Sequence, residues 1–396
     1  MTDKNKMILE EIENIAKEKQ IEPQVIYQAL KEGLLKAYEK ETHEILDNVR
    51  VEIDQDQGKI TMFKNLTVVA KVEEPDLEIA LSQVKAENPE SPLTIGDIYV
   101  EEIPTDKFGR LAISQAIQIF KQSIREAEKN SIYDEFIDKQ GTILIGKVET
   151  VEDTYCLIKI GRAYAYLPKK NQILGETFSI NEPNNHIKFY LEDIIKNKNY
   201  GQILASRSHS GFLSRLLELE VPEFNQLNPD GKNVIEIKEV ARIPGVRAKV
   251  AIISNDNTID AVGACIGPKG SRIQTISKEL NGEKIDVILY DENISNFIIN
   301  ALAPAKVISI SINEKEQQAD VIVPTEQFSL AIGKNGMAAK LVARLTHWKI
   351  NIISLEQAQK DNIKFNWNGN LKLEDYDQFV TNLRNKNSFR QNQFRK

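Results

Sequence analysis

The chain has 396 residues, 41% of them hydrophobic and 28% charged, with a formal net charge of -7. That length is too great for one ordinary core and predicts about two to four domains. No apolar run could span a bilayer, Met1 to Lys6 lacks the apolar stretch of a secretory signal, and Cys156 and Cys265 stand alone in different segments, so neither a disulfide framework nor a cysteine metal site is expected.

The N-terminal segment opens on a helical pattern from Ile8 to Ala37, interrupted at the Glu22-Pro23 step. Strands are expected at Val49–Ile53 and Ile60–Phe63, on either side of a Gln57-Gly58 turn. A second helix is expected from about Leu111 to Phe136, with Ile113, Ile117, Phe120, Ile124 and Ala127 on one buried face, running straight into the next domain. Residues 1–137 hold 17 basic and 28 acidic residues, a net -11, whereas residues 358–396 hold 8 and 4, a net +4. Phosphate is repelled by such an N-terminal surface, so it either addresses something other than nucleic acid or serves solubility.

Residues from about 139 to 207 alternate in the manner of short strands. Thr142–Val151, Thr154–Gly161, Ala163–Pro168 and Gln202–Ser208, punctuated by glycine, predict a five-stranded OB barrel. Tyr164 and Tyr166 lie two apart and share one strand face, where bases could stack on them with Tyr155; the alternative is ordinary barrel packing. Lys169 and Lys170 either meet phosphate or form a solvated turn.

Two glycine loops follow, Gly267-Pro268-Lys269-Gly270 and Gly333-Lys334-Asn335-Gly336, each preceded by Ile and followed by an amphipathic helix. Hairpin, helix, loop, helix and strand recur at a shift of 66 residues, counted between the first glycines. The first copy uses Val234–Ile237, Ala248–Ile253 and Asp286–Tyr290 as strands, and the second uses Ile308–Ile312, Asp320–Val323 and Trp348–Ile353. A G-x-x-G loop lets the backbone approach a sugar-phosphate strand while amides at the start of the next helix face the phosphates. A single copy is as well read as a glycine turn between packed helices; two in register favour single-stranded nucleic acid. Gly267, Pro268, Lys269 and Gly270, with Gly333, Lys334, Asn335 and Gly336, are the expected contacts. Ile266 and Ile332 are expected to support the apolar groove or to be core, and Arg272 and Lys340 to add phosphate contacts.

This order resembles prokaryotic-type (type II) KH domains in tandem, behind an S1-type barrel. Val240–Ala251, Val262–Gly267, Gly282–Asp286 and the Asn300–Ala305 joint are together similar to the NusA family, over residues 1 to about 356. The resemblance implies a multidomain α+β protein: a polymerase-binding domain over 1–137, an S1 barrel over 138–207, a first KH domain with its leading linker over 208–305 and a second over 306–357. It implies a cytoplasmic, monomeric, non-enzymatic factor without cofactor. Such a factor holds core RNA polymerase near the RNA exit and binds nascent single-stranded RNA, acting in pausing, termination and antitermination, with other antitermination factors as further partners. Acidic repeats found after the KH domains of some relatives are absent, and the Asn-rich tail over 358–396 is expected to be disordered. The short Ala303-Pro304-Ala305 joint predicts that the two KH domains pack as one body.

Rival classes fit less well. A ribonuclease of the polynucleotide phosphorylase kind would bring catalytic domains that are not found, and a KH-containing GTPase needs G-x-x-x-x-G-K-[S/T], which does not occur. His43, His186, His209 and His347 are scattered. An RNA-binding translation or chaperone factor without polymerase contact remains the alternative.

Overall fold

The computed structural model describes Asn14 and residues 22–42, 47–54, 59–103, 110–180, 185–195, 203–256 and 258–382. Apart from Asn14, the expected helical stretch over residues 8–21 lies outside the described residues, as does the Gln57-Gly58 turn. The chain divides into two compact units, Met1–Asp138 and Lys139–Lys396.

In the first unit, α1 (Pro23–Thr42) starts on a proline, whose missing N–H costs nothing in a first helical turn. It packs along α3 (Arg110–Phe136), where Phe120, Ile124 and Ala127 cover the buried Tyr27. The side chains of Ile113 and Ile117 are outside the described residues. β1 (Val49–Asp54), β2 (Lys59–Val69) and β3 (Glu78–Ala80) form a sheet in that order, with α2 (Leu81–Glu87) after β3 and β4 (Ile98–Ile103) antiparallel to β2. Val49 and Val51 alternate inward with Met62 and Ile103 beneath them.

The second unit begins with a closed barrel of β5 (Ile143–Val151), β6 (Tyr155–Ile160), β7 (Ala163–Pro168), β8 (His186–Ile194) and β9 (Ile203–Ser206), paired in the order β5-β6-β7-β9-β8. Val148, Ile158, Ala163, Ala165, Leu167, Phe189 and Leu191 fill it. Helix α4 (Ser210–Glu220) leads to the antiparallel β10 (Ile235–Ile243) and β11 (Arg247–Ser254), then α5 (Ala261–Ile266), α6 (Ser271–Glu279) and β12 (Lys284–Leu289), which is parallel to β11. The pattern repeats as α7 (Ile294–Ala301), β13 (Ser309–Asn313), β14 (Gln318–Val323), α8 (Phe328–Ile332), α9 (Met337–Thr346) and β15 (Lys349–Ser354).

The structure departs from the sequence expectation in two places. Helix α7, placed by the sequence reading at the end of the first KH domain, buries Phe297, Ile298 and Ala301 in a core with Leu341, Val342 and Leu345 of the second. That core also takes in Ala241, Ala251 and Ile288 from the first sheet, so the two domains share apolar interior, as the short joint predicts. The tail expected to be disordered is folded as far as residue 382: α10 (Leu355–Lys360), an extended run and helix α11 over residues 373–382 bury Leu371 and Ala358 against Ile308 and Ile322. Apolar burial outweighs its polar composition because Phe365, Trp367, Tyr376 and Phe379 all reach the same surface. Residues 383–396 lie outside the described residues.

Candidate nucleic-acid interface

The two glycine loops have one backbone conformation. Gly267 and Gly333 stand at φ/ψ 75°/171° and 72°/173°, Lys269 and Asn335 at 52°/24° and 53°/29°, and Gly270 and Gly336 at 76°/18° and 73°/13°. The first glycine of each loop occupies a region that side chains with a Cβ essentially do not enter. It is also crowded: a Cβ at Gly267 would lie 2.7 Å from Arg272 Cγ, and one at Gly333 would lie 2.8 Å from Ala338 Cβ and 2.9 Å from its backbone nitrogen.

The helices that leave the loops start without a side-chain cap. Elsewhere in this unit, Asp260, Asn293, Ser354 and His209 accept hydrogen bonds from first-turn N–H groups of α5, α7, α10 and α4. Glycine at the N-cap of α6 and α9 offers no acceptor. The Ser271 and Met337 N–H groups turn back to the Pro268 and Lys334 carbonyls, while the next first-turn amides have no side-chain cap and, with the positive end of each helix dipole, suit an anion. Lys269, Lys334 and Asn335 are exposed at the loop tips and Lys340 on α9, so three lysines add positive charge beside the loops and Asn335 adds a neutral amide donor.

Ile266 is 39% exposed and Ile332 half-buried, each on the last turn of its helix. The core role is instead taken by the residue before each, Cys265 and Ala331, both buried. Arg272 departs from expectation: its Nη1 donates to both Glu223 carboxylate oxygens at 3.1 Å and to the Ala264 carbonyl at 2.7 Å. It braces the loop from behind, and the sequence could not show this because Glu223 is 49 positions away.

On the barrel, Tyr155, Tyr164 and Tyr166 alternate with the buried Cys156, Ala163, Ala165 and Leu167, so all three rings stand on the outer face. Tyr155 and Tyr166 pack with centroids 5.3 Å apart, and Lys159, which the sequence reading passed over, holds its Nζ 6.0 Å from the Tyr164 ring centre. The β6/β7 register, which pairs Lys159 with Tyr164, is the signal that would have found it. Lys169 and Lys170 are exposed just after β7.

Barrel and first KH domain are joined by two arginines. Arg207 Nε donates to Glu176 (2.9 Å), while its Nη1 and Nη2 donate to the Glu279 carboxylate (2.9 Å) and carbonyl (2.8 Å) at the end of α6. Arg242 meets Glu283 through Nε and Nη2 at 2.9 Å, both side chains buried, and its Nη1 donates to the Arg207 and His209 carbonyls at 2.8 Å. Toward the second domain, the buried Lys249 donates to Asp286 (3.2 Å) and to the Ala303 carbonyl (3.1 Å); burial holds its pKa below the usual lysine value.

A closed OB-type barrel followed by two KH modules on a shared core defines a tandem-KH protein. Family models agree and go further: residues 7–130 match the NusA N-terminal domain, 207–290 the NusA-like first KH domain and 294–360 the NusA-like second KH domain. The chain is 39% identical over 356 residues to the transcription termination/antitermination protein NusA of Halalkalibacterium halodurans, covering 90% of each chain. It is 38% identical to the protein of the same name from Bacillus subtilis, covering 89% of this chain and 92% of that one, and 38% identical to that from Thermus thermophilus, covering 90% and 92%. The chain belongs to the NusA family of transcription termination/antitermination proteins. Among the described residues, no helix is long and apolar enough to cross a membrane.

Proposed function

We propose that this protein acts without catalysis, docking on core RNA polymerase through residues 1–137 and holding nascent single-stranded RNA on the barrel and the two glycine loops, in the cytoplasm and as a monomer. The observation that carries this reading is the pair of loops with matching backbone and uncapped helix N-termini, in a chain with the NusA domain order. In it, Gly267, Pro268, Lys269 and Gly270 receive phosphates in the first domain, and Gly333, Lys334, Asn335 and Gly336 with Lys340 do so in the second. Ile266 and Ile332 border the groove where bases lie, and Tyr155, Tyr164 and Tyr166 offer stacking surfaces. Arg272 supports the first loop instead of touching RNA.

The polymerase assignment draws on the character of the first unit. Its charge disfavours phosphate, and Ile98 and Val100, two apart on β4, are 61% and 43% exposed on a strand that also carries Glu101 and Glu102. An exposed apolar strip with an acidic rim suits a protein partner. Covalent linkage then raises the RNA concentration felt by the second unit, so weak and sequence-tolerant contacts suffice to influence pausing and termination.

Fragments test this directly. Residues 1–137 should co-elute with core polymerase in the absence of RNA, and residues 138–396 should bind RNA yet leave pausing on a defined template unchanged at matched concentration. A C-terminal fragment that reproduces the pausing effect alone, or an N-terminal fragment that ignores polymerase, would refute the division of labour.

A further inference from the structure

The tail that follows the second KH domain lies beyond the 294–360 match to the KH family model, and nothing in the RNA-binding reading uses it. Its position becomes intelligible when the two KH sheets are compared by register. Ala251 pairs with Ile288 four residues after the Arg247/Lys284 pair, and Ile322 pairs with Ile353 four residues after Gln318/Lys349. These are equivalent positions on the sheet face turned away from each domain's own helices.

In the first domain that face is closed by the second: Ala251 and Ile288 lie in one core with Phe297, Leu341 and Leu345. In the second domain the same face is closed by the tail. There the equivalent Ile322 and Ile353 are covered by Leu355, Ala358 and Leu371, with Phe365, Trp367, Tyr376 and Phe379 around them. The tail therefore stands where a third module would otherwise be needed, as a terminal cap does in a repeat array.

The tail also closes the sheet edge. The N–H groups of Gly369 and Leu371 donate to the Ile308 and Val307 carbonyls at 3.0 Å. The Asn370 and Asn368 side chains accept from the Val307 and Ile310 N–H groups at 2.8 and 2.9 Å, and Asn368 returns a bond to the Ile310 carbonyl at 2.9 Å. Two asparagine amides thus satisfy strand groups that a neighbouring strand would take. A Cβ at Gly369 would overlap the Val307 carbonyl, so only glycine lets the two chains approach this closely.

From here a short path leads to the second loop. Next to Val307, the Lys306 N–H donates to Gln327 Oε1 at 2.7 Å, and Gln327 directly precedes α8, which ends at Gly333. On the other side, the Glu356 N–H at the start of α10 donates to Thr325 Oγ1 at 3.2 Å. We infer that residues 363–379 are a built-in cap of the KH array, and that they position the second glycine loop, and only that loop, for its ligand.

The test uses the full chain carrying Gly369→Val, with Asn370→Ala as a milder second variant should the first fail to fold. Hydrogen exchange, which needs no RNA, should rise over residues 307–313 and 327–336 and stay unchanged over 261–270. RNA binding, the readout that rests on the proposed function, is measured with a short unstructured RNA oligonucleotide. With Pro268→Asp and Lys269→Asp disabling the first loop, the cap variants should weaken binding roughly tenfold further; with Lys334→Asp and Asn335→Asp disabling the second, they should have no effect. Unchanged exchange over 307–336, or equal losses in both backgrounds, would overturn the cap. If no background binds RNA at all, the RNA reading fails and exchange alone still decides the cap.

Discussion

The two KH domains carry the same loop on different supports. The first is braced by charge: Arg272 holds Glu223 and the Ala264 carbonyl behind Gly267, and the buried Arg242, paired with Glu283, ties the sheet to the end of the barrel through the Arg207 carbonyl. The second is braced by apolar contact, with Ala338 behind Gly333 and the C-terminal tail over its sheet. The loop backbones nonetheless match closely. What the loop requires is a positive-φ path with an uncapped helix behind it, and its surroundings are free to differ so long as they enforce that path.

The largest effect that would sharpen this contrast comes from Arg242→Met. It leaves the Glu283 carboxylate buried with only the Gly245 N–H as a partner among the contacts seen here, and should cost about 3–5 kcal/mol, because breaking a buried pair strands a charge. Urea melts would show the loss, and because the pair is shielded from solvent, added salt should change it little. A variant that melts like the parent would mean that the pair does not brace the joint.

Alanine at the first glycine of each loop tests the supports themselves. Both substitutions strain a positive-φ residue, at about 1–3 kcal/mol. Gly333→Ala should be the worse of the two, since its new Cβ meets the Ala338 backbone, whereas at Gly267 it meets an arginine side chain that can shift. Equal melting temperatures for the two variants would contradict this ordering.

A smaller effect separates the domains by pH. Burial pushes the Cys265 thiol up to about 12 from an ordinary value of 9.0, while Ala331 holds the equivalent place in the second domain. The folded state keeps the proton more tightly than the unfolded chain. Its contribution is therefore complete below pH 9 and fades as pH rises toward about 12, by roughly 1 kcal/mol at pH 10. Cys265→Ala should flatten that alkaline decline in thermal melts, at the expense of a small cavity; an unchanged decline would assign it to other groups.

How much of this was legible in the sequence depends on range. Both loops, their flanking helices and most barrel strands could be read locally, because glycine spacing and apolar period are properties of a few neighbouring residues. Arg207 and Arg242 could not, since a charged residue in a single sequence looks like surface and Glu279 lies 72 positions from Arg207. The tail misled for a related reason. Its apolar residues are sparse and follow no single period, because Phe365 to Leu371 belong to an extended run and Tyr376 and Phe379 to a helix. Two of the asparagines that suggested disorder, Asn368 and Asn370, are the groups that bond the strand edge at Ile310 and Val307.

The most direct test of the central claim, that two equivalent loops hold one RNA, is a double replacement in the full chain. Asp at 268, 269, 334 and 335 places four carboxylates on the exposed tips, and Asp tolerates the left-handed backbone of positions 269 and 335, so folding should survive. Affinity for an unstructured single-stranded RNA should fall by roughly ten- to a hundredfold for either pair. It should fall further for both together, with a shallower salt dependence and an unchanged melting transition. Undiminished RNA affinity in the fourfold variant, with that transition intact, would contradict the account.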